Sequence, residues 1–143
     1  MDQIIQLLET PYECDQIAVL FEDPTNQARR RAVELRALSH GTKRKVETEL
    51  LKVIYAYEEV LTEKNKRRTK ANRTWQMVKR YGIIEAAERA VNRPSDPIGY
   101  KTLVEKGLED LTFETIITRF PEYFRRDAID TAKRRLEELQ KIA

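Results

Sequence analysis

Residues 42–64 read TKRKVETELLKVIYAYEEVLTEK, the most regular hydrophobic pattern in the chain. Apolar side chains recur in this stretch at steps of four, three, four and three residues. They are Val46, Leu50, Val53, Tyr57 and Val60. Because steps of three and four residues place side chains on one face of an α-helix, the pattern predicts a long helix with one buried stripe.

The buried stripe has two interpretations. Ile54 and Leu61 widen it, which is typical of a helix that packs against several neighbours. A coiled-coil dimer would use the same face, but the pattern covers only about two heptads, and a coiled coil normally extends over three or four. We therefore predict the central helix of a bundle, with a coiled-coil dimer as the alternative.

Glycine and threonine mark the expected ends of several helices. Gly41, Gly82 and Gly107 each follow an apolar helical pattern. Glycine readily adopts the left-handed conformation that ends a helix, so we expect a helix to stop at each of them. Thr42 and Thr112 precede such patterns, and a threonine hydroxyl can accept the free N–H groups of a first helical turn. We therefore expect both threonines to be N-caps.

The composition predicts the same fold class for the whole chain. The 143 residues include only four glycines and five prolines, while 36% of the residues are charged. This length is sufficient for one domain with its own core. We predict an all-α, single-domain irregular bundle of six or seven helices around a long central helix, spanning residues 1–143. The proline-rich stretch 92–99 is a candidate subdomain hinge.

The residues that carry catalysis or bind metals are nearly absent. With one cysteine, Cys14, and one histidine, His40, the chain has no disulfide and no Cys/His metal cluster of its own. Phosphate-binding glycine loops and HExxH pairs are missing from the sequence. Carboxylate pairs such as Glu58 with Glu59 have Lys or Arg nearby, which is typical of a solvated helix face. We therefore predict a non-enzymatic protein without metal or cofactor, soluble, cytoplasmic and not associated with membranes.

The strongest functional pattern is a window without acidic residues. Residues 64–84 contain eight bases and no Asp or Glu, so the rest of the chain has 19 basic and 24 acidic residues. The eight bases are Lys64, Lys66, Arg67, Arg68, Lys70, Arg73, Lys79 and Arg80. We call residues 64–80 the basic segment. Such a concentration of positive charge favours an anionic partner or an acidic surface that answers it.

Nucleic acid is the partner that this pattern favours. Closely spaced Lys and Arg neutralise successive phosphates and release condensed counterions. We therefore predict a nucleic-acid-binding protein, with DNA as the favoured nucleic acid, or a regulatory protein that contacts phosphates through the basic segment. Trp75 lies in the same window and is either a packing anchor or a platform for an unpaired base. The alternative function is a helical adaptor or complex subunit whose basic segment docks an acidic protein surface or a second copy of the chain.

Two further patterns extend the nucleic-acid hypothesis. A second candidate basic patch precedes the central helix, at Arg29, Arg30, Arg31, Lys43, Arg44 and Lys45. Residues 74–93 have helical patterns on both sides of Gly82, as in a helix-turn-helix motif. Arg89 and Arg93 would then lie on the recognition helix. Glu88 argues against the motif, because an aliphatic residue is normally buried at its position.

Overall fold

The computed structural model describes residues 5–14, 27–93 and 103–142, with side chains described to residue 138. These ranges contain α-helices and short 3-10 turns and no strand. The α-helices are α1 (Gln27–Leu38), α2 (Lys45–Asn65), α3 (Asn72–Tyr81), α4 (Ile83–Val91), α5 (Phe113–Arg119) and α6 (Arg126–Ile142). The all-α bundle around a long central helix is therefore confirmed, and α2 is that helix.

The buried stripe of α2 is covered by helices of the same chain. Its first half packs against α4, α5 and the first half of α6 through Val46, Leu50 and Val53. In α5, Ile116 and Ile117 are fully buried in this cluster. A second cluster joins the other side of α2 to α1 and to residues 103–111. The face that suggested a coiled-coil seam is thus an intramolecular core, which explains why its apolar pattern is wider than a seam.

The two predicted threonine caps have different outcomes. Thr112 is the N-cap of α5, and its hydroxyl accepts a hydrogen bond from the N–H of Thr115 at 3.2 Å. The prediction for Thr42 is wrong, because α2 begins later and Arg44 occupies the N-cap position without a side-chain bond. The Thr42 hydroxyl lies instead 2.7 Å from the hydroxyl of Thr48. A cap must adjoin the first turn, and Thr42 lies two residues too early.

The predicted glycine stops are found where the sequence placed them. Gly41, Gly82 and Gly107 have φ angles of 63°, 86° and 73°, and residues that carry a Cβ rarely adopt such positive values. At Gly107 the two hydrogen bonds of a Schellman motif are formed, from its own N–H to Val104 and from the Leu108 N–H to Leu103. Residues 94–102 lie outside the described ranges, so the single domain and its candidate hinge stay predictions.

Candidate nucleic-acid interface

The arginines of α1 bind carboxylates of the same chain. Arg29 contacts Glu63 at 2.6 Å. Arg30 donates two parallel hydrogen bonds to Asp110, one at 2.6 Å and one at 2.9 Å. The hydrogen bond from Arg30 holds the pKa of Asp110 below its usual value, and that of Arg30 is raised in turn. The pKa of Glu63 is also lowered, chiefly by a hydrogen bond from Lys106 and then by Arg29. These arginines join α1 to the end of α2 and to the 3-10 turn before α5.

The remaining members of the second patch are divided. Arg31 contacts Glu34 at 2.9 Å, and Arg44 pairs with Glu47. Lys43 and Lys45 are exposed and make no ion pair within the described ranges. Both lie at the beginning of α2, whereas the basic segment begins at its end, about 30 Å away along a helix of this length. Four of the six bases of the second patch are thus paired with carboxylates, and Lys43 and Lys45 are the two that make no ion pair within the described ranges.

The basic segment has the opposite character. All eight of its bases are exposed, and within the described part of the chain only Arg68 makes an ion pair, with Glu59 at 3.0 Å. Lys64 still belongs to α2, and the helix ends at Asn65 with Lys66 in the left-handed conformation (φ 57°). Residues 66–71 then form a loop before α3 begins. Seven positive side chains are thus exposed to solvent without an ion pair to any described carboxylate.

A buried carboxylate fixes this loop to the central helix. Glu58 of α2 is only 3% exposed. One of its oxygens, Oε2, accepts hydrogen bonds from the Ala71 backbone N–H at 2.9 Å and from Trp75 Nε1 at 2.6 Å. The Thr69 N–H donates to the hydroxyl of Thr62 at 3.0 Å, again on α2. The loop therefore has a defined backbone conformation, although its basic side chains are exposed.

The neighbouring carboxylate, Glu59, joins the two basic regions. It is 8% exposed, and its Oε1 accepts hydrogen bonds from Arg36 of α1 at 2.7 Å and from Arg68 of the loop at 3.0 Å. The prediction that Glu58 and Glu59 lie on a solvated face is wrong. The returning loop and the antiparallel α1 cover this side of α2, and their donors satisfy both carboxylates.

Trp75 is a packing anchor in this arrangement. Its ring stacks on that of His40, with ring centroids 5.8 Å apart and planes 9° from parallel. The centroid of the Tyr55 ring lies 5.2 Å from that of Trp75. His40 Nε2 lies 2.7 Å from the Tyr55 hydroxyl. Burial, followed by the nearby Glu58 carboxylate, raises the pKa of Tyr55. The ring of Trp75 therefore packs within the fold, which favours the packing anchor over the platform for a base.

A groove of about 690 Å³ continues the basic surface beyond the loop. It lies between α3, α4 and the start of α6, and five arginines line it. They are Arg73, Arg80, Arg89, Arg93 and Arg125. Glu85, Glu88 and Asp127 are the acids of the same groove. The basic segment supplies two of the five arginines, while sequence reasoning missed Arg125, which lies 45 positions after Arg80.

The helix-turn-helix pattern has a different structural basis. Gly82 alone separates α3 from α4, whereas that motif has a turn of three or four residues. Glu88 is 7% exposed, and its carboxylate accepts the backbone N–H of Arg125 at 2.6 Å. The residue that argued against the motif therefore holds the start of α6 against α4. This contact is what brings Arg125 to the groove.

The described residues contain no group of His, Cys, Asp and Glu arranged to hold a metal ion. None of the described helices combines the length and apolar character needed to cross a bilayer. Comparisons of the chain with protein-family models, with curated proteins and with solved structures each found no match. The interface is therefore defined by geometry and charge alone.

Proposed function

We propose that this protein binds nucleic acid, with DNA as the favoured partner, through the exposed bases of residues 64–80. One observation carries the proposal: seven of the eight bases make no ion pair within the described ranges, although the chain as a whole has 24 acidic residues. Elsewhere in the same protein, arginines are paired at distances of 2.6–2.9 Å. An anionic partner would supply the negative charge that the described residues do not bring to these seven bases.

The physical basis is counterion release. Duplex DNA carries one negative charge per about 1.7 Å of its axis and is surrounded by condensed cations, which are released when Lys or Arg binds a phosphate. The loop of residues 66–71 and the exposed side of α3 place the bases close together on the surface. Because Glu58 fixes the loop backbone, less conformational entropy is lost when the bases bind than in a flexible tail.

The test is a salt titration of binding to fluorescently labelled duplex DNA. We expect micromolar affinity at low salt and a linear fall of log K with log salt concentration, with a slope of about −0.9 per phosphate contact. The variant carries Arg67→Gln, Lys70→Gln and Lys79→Gln, three exposed sites that make no ion pair with a described residue. Removing up to three phosphate contacts should make the slope shallower by about 2 to 3.

A matched control variant removes three positive charges elsewhere. Arg119→Gln, Lys133→Gln and Arg134→Gln change exposed residues that lie outside the basic segment and outside the second patch. We expect this control to keep the wild-type slope, because side chains that contact no phosphate release no condensed counterions. If the wild-type protein binds neither duplex nor single-stranded DNA at low salt, the proposal is wrong. An acidic protein surface then becomes the partner to examine.

A further inference from the structure

One side chain in the groove presents a flat, positively charged face. The Arg89 guanidinium carbon lies 3.7 Å from the centre of the Tyr81 ring, so the two planar groups are in contact. The Arg89 side chain is 49% exposed, and its Nη2 lies 3.6 Å from Glu85 Oε1. Tyr81 and Glu85 therefore hold the guanidinium from two directions, while part of it remains open to the groove.

We propose that the groove binds a single-stranded stretch of DNA, with one unstacked base lying on the open face of Arg89. Arg73, Arg80 and Arg125 would contact the phosphates on either side of that base. This inference rests on the proposed function and specifies the form of the nucleic acid. Arginine planes, like aromatic rings, are surfaces on which splayed-out bases stack in known single-strand recognition.

The shape of the groove favours a single strand over a duplex. Its volume of about 690 Å³ is within the range of pockets that enclose small molecules, about 300–1,000 Å³. A nucleotide or two can enter such a space, whereas a duplex is convex and covers both faces of every internal base by stacking. Only an unstacked base can place its face on a guanidinium inside a concave site.

The acids of the groove do not exclude an anionic ligand. Glu88 accepts the backbone N–H of Arg125, and Asp127 accepts the N–H of Ala128 at 2.8 Å. Backbone donors thus offset part of the charge of both carboxylates. Five arginines against three acids leave the groove cationic. Gln76 and Asn92 line the same space and offer neutral donors and acceptors to a base edge.

The experiment separates base stacking from phosphate binding. Affinities are measured by fluorescence anisotropy for a thymidylate 12-mer, for an abasic 12-mer with the same phosphates, and for a duplex of that length. We expect the wild-type protein to prefer the thymidylate strand to the abasic strand by about tenfold, the scale of one stacked base. Arg89→Lys keeps the charge and removes the plane, so this preference should disappear while binding of the abasic strand is unchanged.

The control is Arg126→Lys, because Arg126 is exposed next to the groove without lining it. It should retain the full preference for the thymidylate strand. Equal binding of thymidylate and abasic strands by the wild-type protein, or a preference that survives Arg89→Lys, would overturn the inference and leave the proposed function standing. Absence of binding to all three ligands at low salt would instead overturn the proposed function itself.

Discussion

The arginines of α1 and the bases of residues 64–80 form two regions of similar density in positive charge and very different surroundings. Arg30 and Arg36 of α1 each contact a carboxylate at 2.6–2.7 Å and link elements that are distant in the sequence. In the second region, Arg67 and Lys70 are exposed and contact no carboxylate within the described chain. Whether the side chains of a basic run form ion pairs within the fold or face solvent therefore depends on which carboxylates the fold brings near them.

Two adjacent glutamates of α2 define the boundary between these regions. Glu59 accepts from an arginine of each region through the same oxygen, and Glu58 holds the loop backbone without neutralising its bases. The loop is thus fixed by its backbone and by Trp75, while most of its charged side chains stay available. Because different groups anchor the loop and carry its exposed charge, mutations can change the stability of the protein and its binding independently.

The largest effect on stability is expected for Glu58→Ala. The change leaves the Ala71 N–H and the Trp75 indole N–H without their acceptor. A buried unsatisfied donor costs about 1–3 kcal/mol, so the free energy of unfolding should fall by about 3 kcal/mol in urea denaturation. Glu58→Gln is the control, because its amide oxygen can take the place of Oε2 and accept both bonds, so the loss should be smaller. A loss equal to that of an exposed substitution would show that the loop is not anchored in this way.

The two regions can be compared through Glu59, which binds one arginine of each. The variants are Arg36→Ala and Arg68→Ala, and the compared quantity is the loss in free energy of unfolding. Both arginines donate to Glu59 Oε1, but the Arg36 side chain is 16% exposed and that of Arg68 is 42% exposed. A hydrogen bond to a charged group contributes about 1.5–3 kcal/mol when buried, so Arg36→Ala should lower the free energy of unfolding by about 2 kcal/mol. Arg68→Ala should lower it by less than about 1 kcal/mol, because solvent screens the exposed pair.

Acid should first weaken the ion pairs that the arginines of α1 make with Asp110 and Glu63. Pairing lowers the pKa of Asp110 and of Glu63 in the folded protein, so the unfolded chain binds protons more tightly than the folded one. Their contribution is complete above the unfolded pKa values of about 4 and is lost as pH falls through the lower folded values. Unfolding midpoints in urea should therefore decrease from about pH 5 downwards, with each exposed pair contributing about 0.5 kcal/mol. Asp110→Asn should flatten this decrease, and an unchanged slope would contradict the assignment.

The smallest effect on stability is expected in the unpaired region. Arg67→Ala and Lys70→Ala remove exposed side chains without an ion pair in the described ranges. The free energy of unfolding should change by less than about 0.5 kcal/mol, which is usual for surface positions. Urea denaturation measures this directly, and the same variants should weaken DNA binding. A loss comparable to that of Arg36→Ala would mean that these bases also serve the fold.

Periodicity predicted the fold class and the central helix because apolar spacing is a local property of the sequence. The stripe from Val46 to Val60 specifies which face of α2 is buried, and the stops at Gly41, Gly82 and Gly107 follow from the conformational freedom of single residues. The apolar pattern is interrupted at Lys64 and Arg67, and both side chains are exposed in the structure. These conclusions require only the residues within a few turns of each position.

The tertiary structure alone decided which charges meet. Nothing in the local sequence distinguishes Arg30, which binds Asp110 eighty positions away, from Arg67, which meets no carboxylate among the described residues. Likewise, only the packing of α6 against α4 brings Arg125 to the arginines of the groove. Helix formation depends on neighbours along the chain, whereas an ion pair depends on a distance of a few ångströms between residues that the chain path brings together. Sequence therefore determined the helices and the basic segment, and topology determined that, among the described residues, only Arg68 of this segment meets a carboxylate.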